Sequence, residues 1–257
     1  MPASHRRRRR ARLFVELESQ QDSRFDAAQA PGRGAGDVLD EDVDWERLAP
    51  RGAWAEIGRP LLDEALLALV ILPALAIGLG VALANAISHR SFRRVFFVQE
   101  RVGYRGRIFR LVKFRTMKEA TRGEFASWSE GDRARVTRFG RFLRSSHLDE
   151  LPQLINVLRG EMSFIGPRPE MIEVEEWANA NVPGFVERMA IKPGITGLAQ
   201  VTQGYTPRDV QAYCAKLELN RAYLRRLSCT TDLAVLAATF CWMLRGRGWR
   251  WNDKRQR

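Results

Sequence analysis

The stretch Ala65–Ile87, ALLALVILPALAIGLGVALANAI, runs for 23 residues, of which only Asn85 is polar. At about 1.5 Å per helical residue it is long enough to cross a hydrocarbon core of about 30 Å. Pro73 lies near its middle, where it removes a backbone donor and crowds the preceding turn, so a kink is expected there. Gly78 and Gly80 loosen the second half. Cations flank both sides, Arg47, Arg51 and Arg59 before the stretch and Arg90, Arg93, Arg94 and Arg101 after it. Positive flanks favour the cytoplasmic side, and one straight span can satisfy only one of them. Two arrangements are open: a helix that enters, bends at Pro73 and returns to the same face, or a kinked single span with its N-terminus outside.

Working outward, residues 1–12 carry six arginines and no acid, whereas residues 13–49 carry ten acids against three arginines. With Pro31-Gly32-Arg33-Gly34-Ala35-Gly36 and little hydrophobic periodicity, residues 1–59 read as a flexible, charged leader. The arginine run is not a secretory signal, because the apolar stretch begins more than 50 residues later. On the far side, Leu233–Leu244 (LAVLAATFCWML) has 12 residues, too few to span. Arg245, Arg247, Trp249, Arg250 and Trp251 come directly after it, a pairing of residue types suited to lipid headgroups. A helix lying on the membrane is expected over 233–257, with a core helix and basic tail as the plain alternative.

The 257 residues carry a net charge of +12 and are 45% hydrophobic, which excludes a wholly disordered chain and favours anionic partners: nucleic acid, anionic lipid or phosphorylated substrates. The three cysteines, Cys214, Cys229 and Cys241, are odd in number and lack metal-type spacing. They exclude a disulfide scaffold and a zinc module, and read as reduced packing residues.

Chemistry concentrates between the apolar segments. In VFFVQERVGYRGRIFRLVKFRTM (95–117), β-prone Val95–Val98 and alternating Ile108–Phe114 enclose the turn Gly103-Tyr104-Arg105-Gly106, the pattern of a small hairpin. Lys113 and Arg115 share strand parity and form a basic face that is either solvated or phosphate-binding. Downstream, Leu151, Leu154, Ile155 and Leu158 recur at helical spacing, Gly160 is a stop, and Pro152 suits a first turn, so a helix is expected from about Asp149. That places Asp149 and Glu150 at a helix N-terminus near Arg138, Arg141 and Arg144. Such acids serve either as an N-cap with a dipole-compatible Glu, or as a nucleophile or Mg²⁺ ligand beside a bound phosphate. Pro167 and Pro169 stiffen the backbone around Arg168, which suits either a plain turn or an aimed guanidinium. Lys192-Pro193-Gly194-Ile195-Thr196-Gly197-Leu198-Ala199-Gln200-Val201 reads as a second rigid loop.

Together, FFVQERVGYRGRIFRLVKFRTM (96–117), RFGRFLRSSHLDELPQLINVLRGEMSFIGPRPE (138–170) and KPGITGLAQV (192–201) resemble the bacterial sugar transferases that are monotopic polyprenyl-phosphate phosphoglycosyl transferases, over about residues 60–245. The resemblance implies transfer of a sugar-1-phosphate from a UDP-sugar to a membrane polyprenyl (undecaprenyl) phosphate, with release of UMP and a need for Mg²⁺. It implies that this is the initiating step of exopolysaccharide or other glycoconjugate synthesis. Asp149 matches the nucleophile, which forms a covalent phosphosugar intermediate, and Glu150 its partner at the metal or proton. Arg144 and Arg168 match phosphate- or nucleotide-contacting residues, and Lys113 and Arg115 the family's basic pair. Pro73 matches the break of a re-entrant helix, favouring that arrangement, with the catalytic domain on the cytoplasmic face of the bacterial inner membrane. His147 departs from the family, which often has Ser there. The expected architecture is mainly α with a small β-hairpin (α+β): a leader over 1–59, a re-entrant helix over 60–89, a catalytic domain over 90–232, and an interfacial helix and tail over 233–257. It resembles the short form of the family, and a homo-oligomer is compatible with it. A membrane-anchored nucleic-acid-binding or regulatory protein is the alternative, but no base-reading motif supports it and no nucleic-acid partner is expected.

Overall fold

The computed structural model describes residues 43–118 and 135–244. A short helix, α1 (Trp45–Leu48), is capped by Asp44, whose carboxylate accepts from the Arg47 N–H. A π-helical turn, Trp54–Gly58, leads into the long helix α2, Arg59–His89. Residues 43–59 therefore depart from the expected flexible leader. They are held by partners far along the chain, which local composition does not reveal: the Trp54 indole N–H donates to Asp232 at 2.9 Å, and Glu46 pairs with Arg105 at 2.7 Å. Residues 1–42, and the tail from Arg245 through Trp249 and Trp251 to Arg257, lie outside the described residues.

Helix α2 is assigned without interruption, and Pro73 lies inside it. Arg90, in the left-handed region at φ 50°, closes it. Only Arg59, Val81, Asn85 and Ala86 are buried along its length. Its apolar middle faces outward, with Leu69 and Leu72 72% and 73% exposed. Both ends are fastened to the rest of the fold. Near the start, Asp63 accepts from the Ser163 hydroxyl and the Phe164 N–H, both at 2.9 Å, and Arg59 donates to the Ile165 carbonyl. Near the end, the Asn85 amide donates to the carbonyls of Val95 at 2.8 Å and Arg115 at 3.0 Å. The lone polar residue of the apolar stretch thus pins both open ends of the adjoining hairpin.

That hairpin is β1 (Phe96–Val102) and β2 (Ile108–Phe114), antiparallel with Phe96 opposite Phe114 and Val102 opposite Ile108. β2 has the expected bounds, while β1 runs four residues beyond Val98. The edge of β2 is met by a side chain: Asn156 accepts from the Val112 N–H at 3.2 Å and donates to the Arg110 carbonyl at 2.8 Å. Helix α3 (Arg138–Ser146) is capped by Thr137, whose hydroxyl accepts from the Gly140 N–H. Next come a 3₁₀ turn, Leu148–Gln153, and the one-turn helix α4 (Leu154–Leu158). The expected apolar stripe is not buried as a unit: Leu154 is buried, whereas Ile155 and Leu158 face outward at 42% and 69% exposure. The entry turn has about three residues per turn instead of 3.6, which shifts the phase of α4 and buries Asn156 and Val157 instead.

A second sheet pairs β3 (Ser163–Ile165) with β4 (Gly194–Thr196) in parallel, Ser163 opposite Gly194 and Ile165 opposite Thr196. Strands of three residues carry too little periodicity to be read from sequence. Part of the expected rigid loop 192–201 is therefore a strand, and α6 (Leu198–Gln203) continues from it. The remaining helices are α5 (Ile172–Asn181), α7 (Val210–Arg225) and α8 (Cys229–Leu244), the last beginning four residues before the expected Leu233. The fold is thus mostly helical with two small sheets, in keeping with α+β. Apolar clusters link the elements: Val81 and Ala86 of α2 pack with Val95, Phe114 and Leu143, while Val174, Ala178, Phe185, Tyr213 and Leu217 form a core among α5, α7 and the turn before β4. The three cysteines are free and exposed, so they are not packing residues.

Candidate active site

Two backbone approaches build the site. α3 passes so close to the strand end at Thr116 that a Cβ on Gly140 would overlap the Thr116 carbonyl, so only glycine fits. That contact sets Arg144, whose Nε donates to the Thr116 hydroxyl at 2.9 Å. At the end of α3, His147 turns the chain through the left-handed region at φ 58° and directs it into the 3₁₀ turn that packs against β2. Asp149 and Glu150 lie in the first turn of that segment, as expected, although the turn is 3₁₀ where an α-helix is expected.

The acids differ in their surroundings. Asp149 is buried, and among the described residues its carboxylate accepts no hydrogen bond. Burial above all, then the charge of Glu150, pushes its pKa up to about 6, against the pull of Lys113, Arg144 and Arg168. For Glu150 burial acts in the same direction, but Arg168 and Lys113 outweigh it and hold the carboxyl below its ordinary value. Arg168 donates to Glu150 at 2.9 Å. Lys113 is pulled down to about 8 by burial and by the nearby guanidiniums of Arg101 and Arg168. One carboxylate is therefore held ionised by an arginine, and its neighbour accepts no hydrogen bond among the described residues while three cations act on it.

Of the residues singled out from sequence, Asp149, Glu150, Lys113, Arg144 and Arg168 share one electrostatic neighbourhood. Arg115 lies past the end of β2, reaching the Phe96 carbonyl at 3.4 Å and the Phe97 ring at 6.0 Å. His147 is half-buried, its ring 5.1 Å from that of Trp242 on α8, and burial lowers its pKa. Arg101, read from sequence only as a cation flanking the apolar stretch, donates to the Pro169 carbonyl at 3.1 Å and shares the field of the site. It stands in the QERVGY motif, the one signal that could have drawn attention to it. Arg188 and Glu175 belong to no such motif, and only the fold brings them behind Arg168.

No group of three or more His, Cys, Asp or Glu side chains gathers among the described residues. Mg²⁺ commonly takes one or two carboxylates and completes its shell with water and substrate phosphate. Two adjacent acids, one accepting no hydrogen bond among the described residues, fit an ion shared with a bound phosphate and do not fit an all-protein cage.

This acid pair, with Lys113, Arg144 and Arg168 acting on it, lies inside residues 54–246, which match the family model described as bacterial sugar transferase. The chain is 37% identical over 203 residues to the UDP-N-acetylgalactosamine-undecaprenyl-phosphate N-acetylgalactosaminephosphotransferase of Aeromonas hydrophila, covering 79% of this chain and 47% of that protein. It is 37% identical over 181 residues to the UDP-glucose:undecaprenyl-phosphate glucose-1-phosphate transferase of Xanthomonas campestris pv. campestris, covering 69% and 37%. Against the protein of the same description from Caulobacter vibrioides it is 36% identical over 196 residues, covering 75% and 73%. The chain thus spans about half the length, or less, of the first two relatives and nearly three quarters of the third. With the match running from the entry turn before α2 to just beyond α8 and enclosing the whole acid–arginine site, the chain belongs to the bacterial sugar transferase family.

Proposed function

We propose that the chain transfers a sugar-1-phosphate from a UDP-sugar to polyprenyl (undecaprenyl) phosphate and releases UMP, as the initiating step of exopolysaccharide or other glycoconjugate synthesis. The observation that carries this reading is Asp149: a buried carboxylate without a hydrogen-bond partner among the described residues, faced by Lys113, Arg144 and Arg168. An Asp149 oxygen attacks the sugar-linked phosphorus of the donor. The bond from that phosphorus to the bridging oxygen breaks, UMP leaves with the electron pair, and an aspartyl phosphosugar remains. An oxygen of the lipid phosphate then attacks the same phosphorus, the Asp149–phosphorus bond breaks, and the carboxylate is restored. Arg168 and Arg144 neutralise the phosphates that would otherwise repel an anionic nucleophile. Lys113 adds a further charge, Arg115 has a peripheral role, and Glu150 orients Arg168. Mg²⁺, held by Asp149, Glu150 and the donor phosphates, would supply further charge neutralisation.

The acceptor is a lipid, so the site must meet a bilayer. We propose that α2 is re-entrant, with a bend at Pro73 and the catalytic domain on the cytoplasmic face. Supporting this, both ends of α2 are bonded to the same domain, at Ser163–Ile165 and at Val95 and Arg115, while the apolar middle is exposed. A straight α-helix of 31 residues would be about 46 Å long, and a bend lets it dip into the bilayer and return. Leader, re-entrant helix, catalytic domain and interfacial α8 then succeed one another in chain order.

The test is UMP release from the purified chain with Mg²⁺ and a panel of UDP-sugars, with and without undecaprenyl phosphate. Lipid-dependent UMP from one donor, absent in Asp149→Asn, is the expected result. Asp149→Asn with full turnover sinks the nucleophile assignment.

A further inference from the structure

Behind the side chain of Arg168 the backbone is held at every position from 166 to 170. Gly166 donates its N–H to the Thr196 carbonyl at 2.8 Å. Four successive carbonyls are then each met by a different donor: Pro167 by the Gly194 N–H at 2.9 Å, Arg168 by Arg188 Nη1 at 2.9 Å, Pro169 by Arg101 Nη1 at 3.1 Å, and Glu170 by the Val102 N–H at 3.0 Å. Pro167 and Pro169 have no N–H to satisfy and a fixed φ. The segment has almost no freedom left except in the Arg168 side chain.

Two of these donors are guanidiniums, and Arg188 is the more unusual. It is 2% exposed, its Nη2 donates to the fully buried Glu175, and its guanidinium stacks 4.4 Å from the Phe185 ring centre. Replacing a buried ion pair with well-packed apolar residues is often neutral or stabilising, so stability alone does not explain this pair. An apolar residue cannot donate to the Arg168 carbonyl. A guanidinium can, and Glu175 and Phe185 hold its plane still while it does.

We infer that Arg188, locked by Glu175, is a positioning residue that fixes the Arg168 backbone and so aims the Arg168 guanidinium at Glu150 and the substrate phosphate. The inference rests on the reading of Arg168 as a phosphate-contacting residue of the proposed transferase.

The test is a double-mutant cycle on the full chain in detergent or nanodiscs. It uses Arg188→Lys, Arg168→Ala and their combination, read by kcat/KM for UMP release and by calorimetric UMP affinity. Arg188→Lys keeps a cation beside Glu175 but loses the fork that reaches both partners. The expected result is a loss of about tenfold in kcat/KM when Arg168 is present and less than about twofold when it is Ala, with UMP affinity showing the same pattern. Should Arg188→Lys lose its cooperative melting transition, Glu175→Gln, which keeps a hydrogen-bond acceptor and an intact Arg188, is put through the same cycle. Losses that multiply equally in both backgrounds mean a merely structural pair and overturn the inference alone. Unchanged kinetics in the single variant also overturn it. If the unmutated chain releases no UMP from any donor, the functional reading falls first and the inference with it.

Discussion

Asp149 combines features that oppose stability and favour chemistry. It is buried, lies beside another carboxylate, and accepts no hydrogen bond among the described residues. Its carboxyl stays protonated in the native state up to about pH 6, whereas the unfolded chain releases that proton near the ordinary value of 3.8. Between those values the native state holds more proton, so stability falls as pH rises, and the deficit is complete above about pH 6. Asp149→Asn removes the deficit. It is expected to stabilise the metal-free protein at pH 7.5 by on the order of 1–3 kcal/mol while abolishing turnover. Thermal unfolding of the two proteins in the same detergent checks this, and an unchanged or lower midpoint for the Asn variant contradicts it. In the proposed reaction the unmutated protein uses the ionised carboxylate, so its turnover is expected to decline on an acid limb near pH 6, displaced downward as Mg²⁺ is raised. An acid limb that ignores Mg²⁺ counts against a shared ion.

Among the elements, the close seating of α3 on the strand end at Thr116 makes the sharpest prediction. Gly140→Ala must push the helix off the Thr116 carbonyl and carry Arg144 with it, so both melting temperature and activity are expected to fall. Gly80→Ala has nothing within 4 Å of the new methyl and is the matched control, expected to leave activity unchanged and the melting temperature no lower. Asn85 and Asn156 act alike, each amide bonding two strand groups. Asn85→Leu preserves the apolar character of the stretch but strands the Val95 and Arg115 carbonyls, at a cost of about 1–3 kcal/mol. Denaturation that matches the parent protein's would show that those carbonyls find other partners. The element reading from sequence succeeded where a pattern had room to repeat, in β2 and in α2. It failed for β3 and β4, with three residues each, and for α4, where one 3₁₀ turn displaced the apolar phase.

For the whole molecule, topology is governed by the two fastened ends of α2. Pro73→Ala is expected to straighten the helix toward a full span and separate the two ends across the membrane. Accessibility of single cysteines placed at each end, probed from one side of sealed vesicles, reports the change. The labelling needs a background lacking Cys214, Cys229 and Cys241, since all three are exposed. Both ends remaining reachable from one side in the Pro73→Ala variant would argue against proline as the cause of the proposed re-entry.

The amino-acid sequence by itself determined the apolar segment and its central proline, the hairpin, the acid pair with its arginines and the family motifs. All of these are local patterns, in which neighbouring residues carry the signal together. Only the tertiary structure decided which carboxylate accepts no hydrogen bond among the described residues and which is held by Arg168, that Arg115 reaches the Phe96 carbonyl, that both ends of α2 are bonded to one domain, and that Arg188 and Glu175 stand behind Arg168. These depend on burial and on contacts between residues up to about a hundred positions apart, such as Asp63 with Ser163 and Arg59 with Ile165. A charge's partner and its desolvation are properties of the space around it, and that space exists only once the chain has folded.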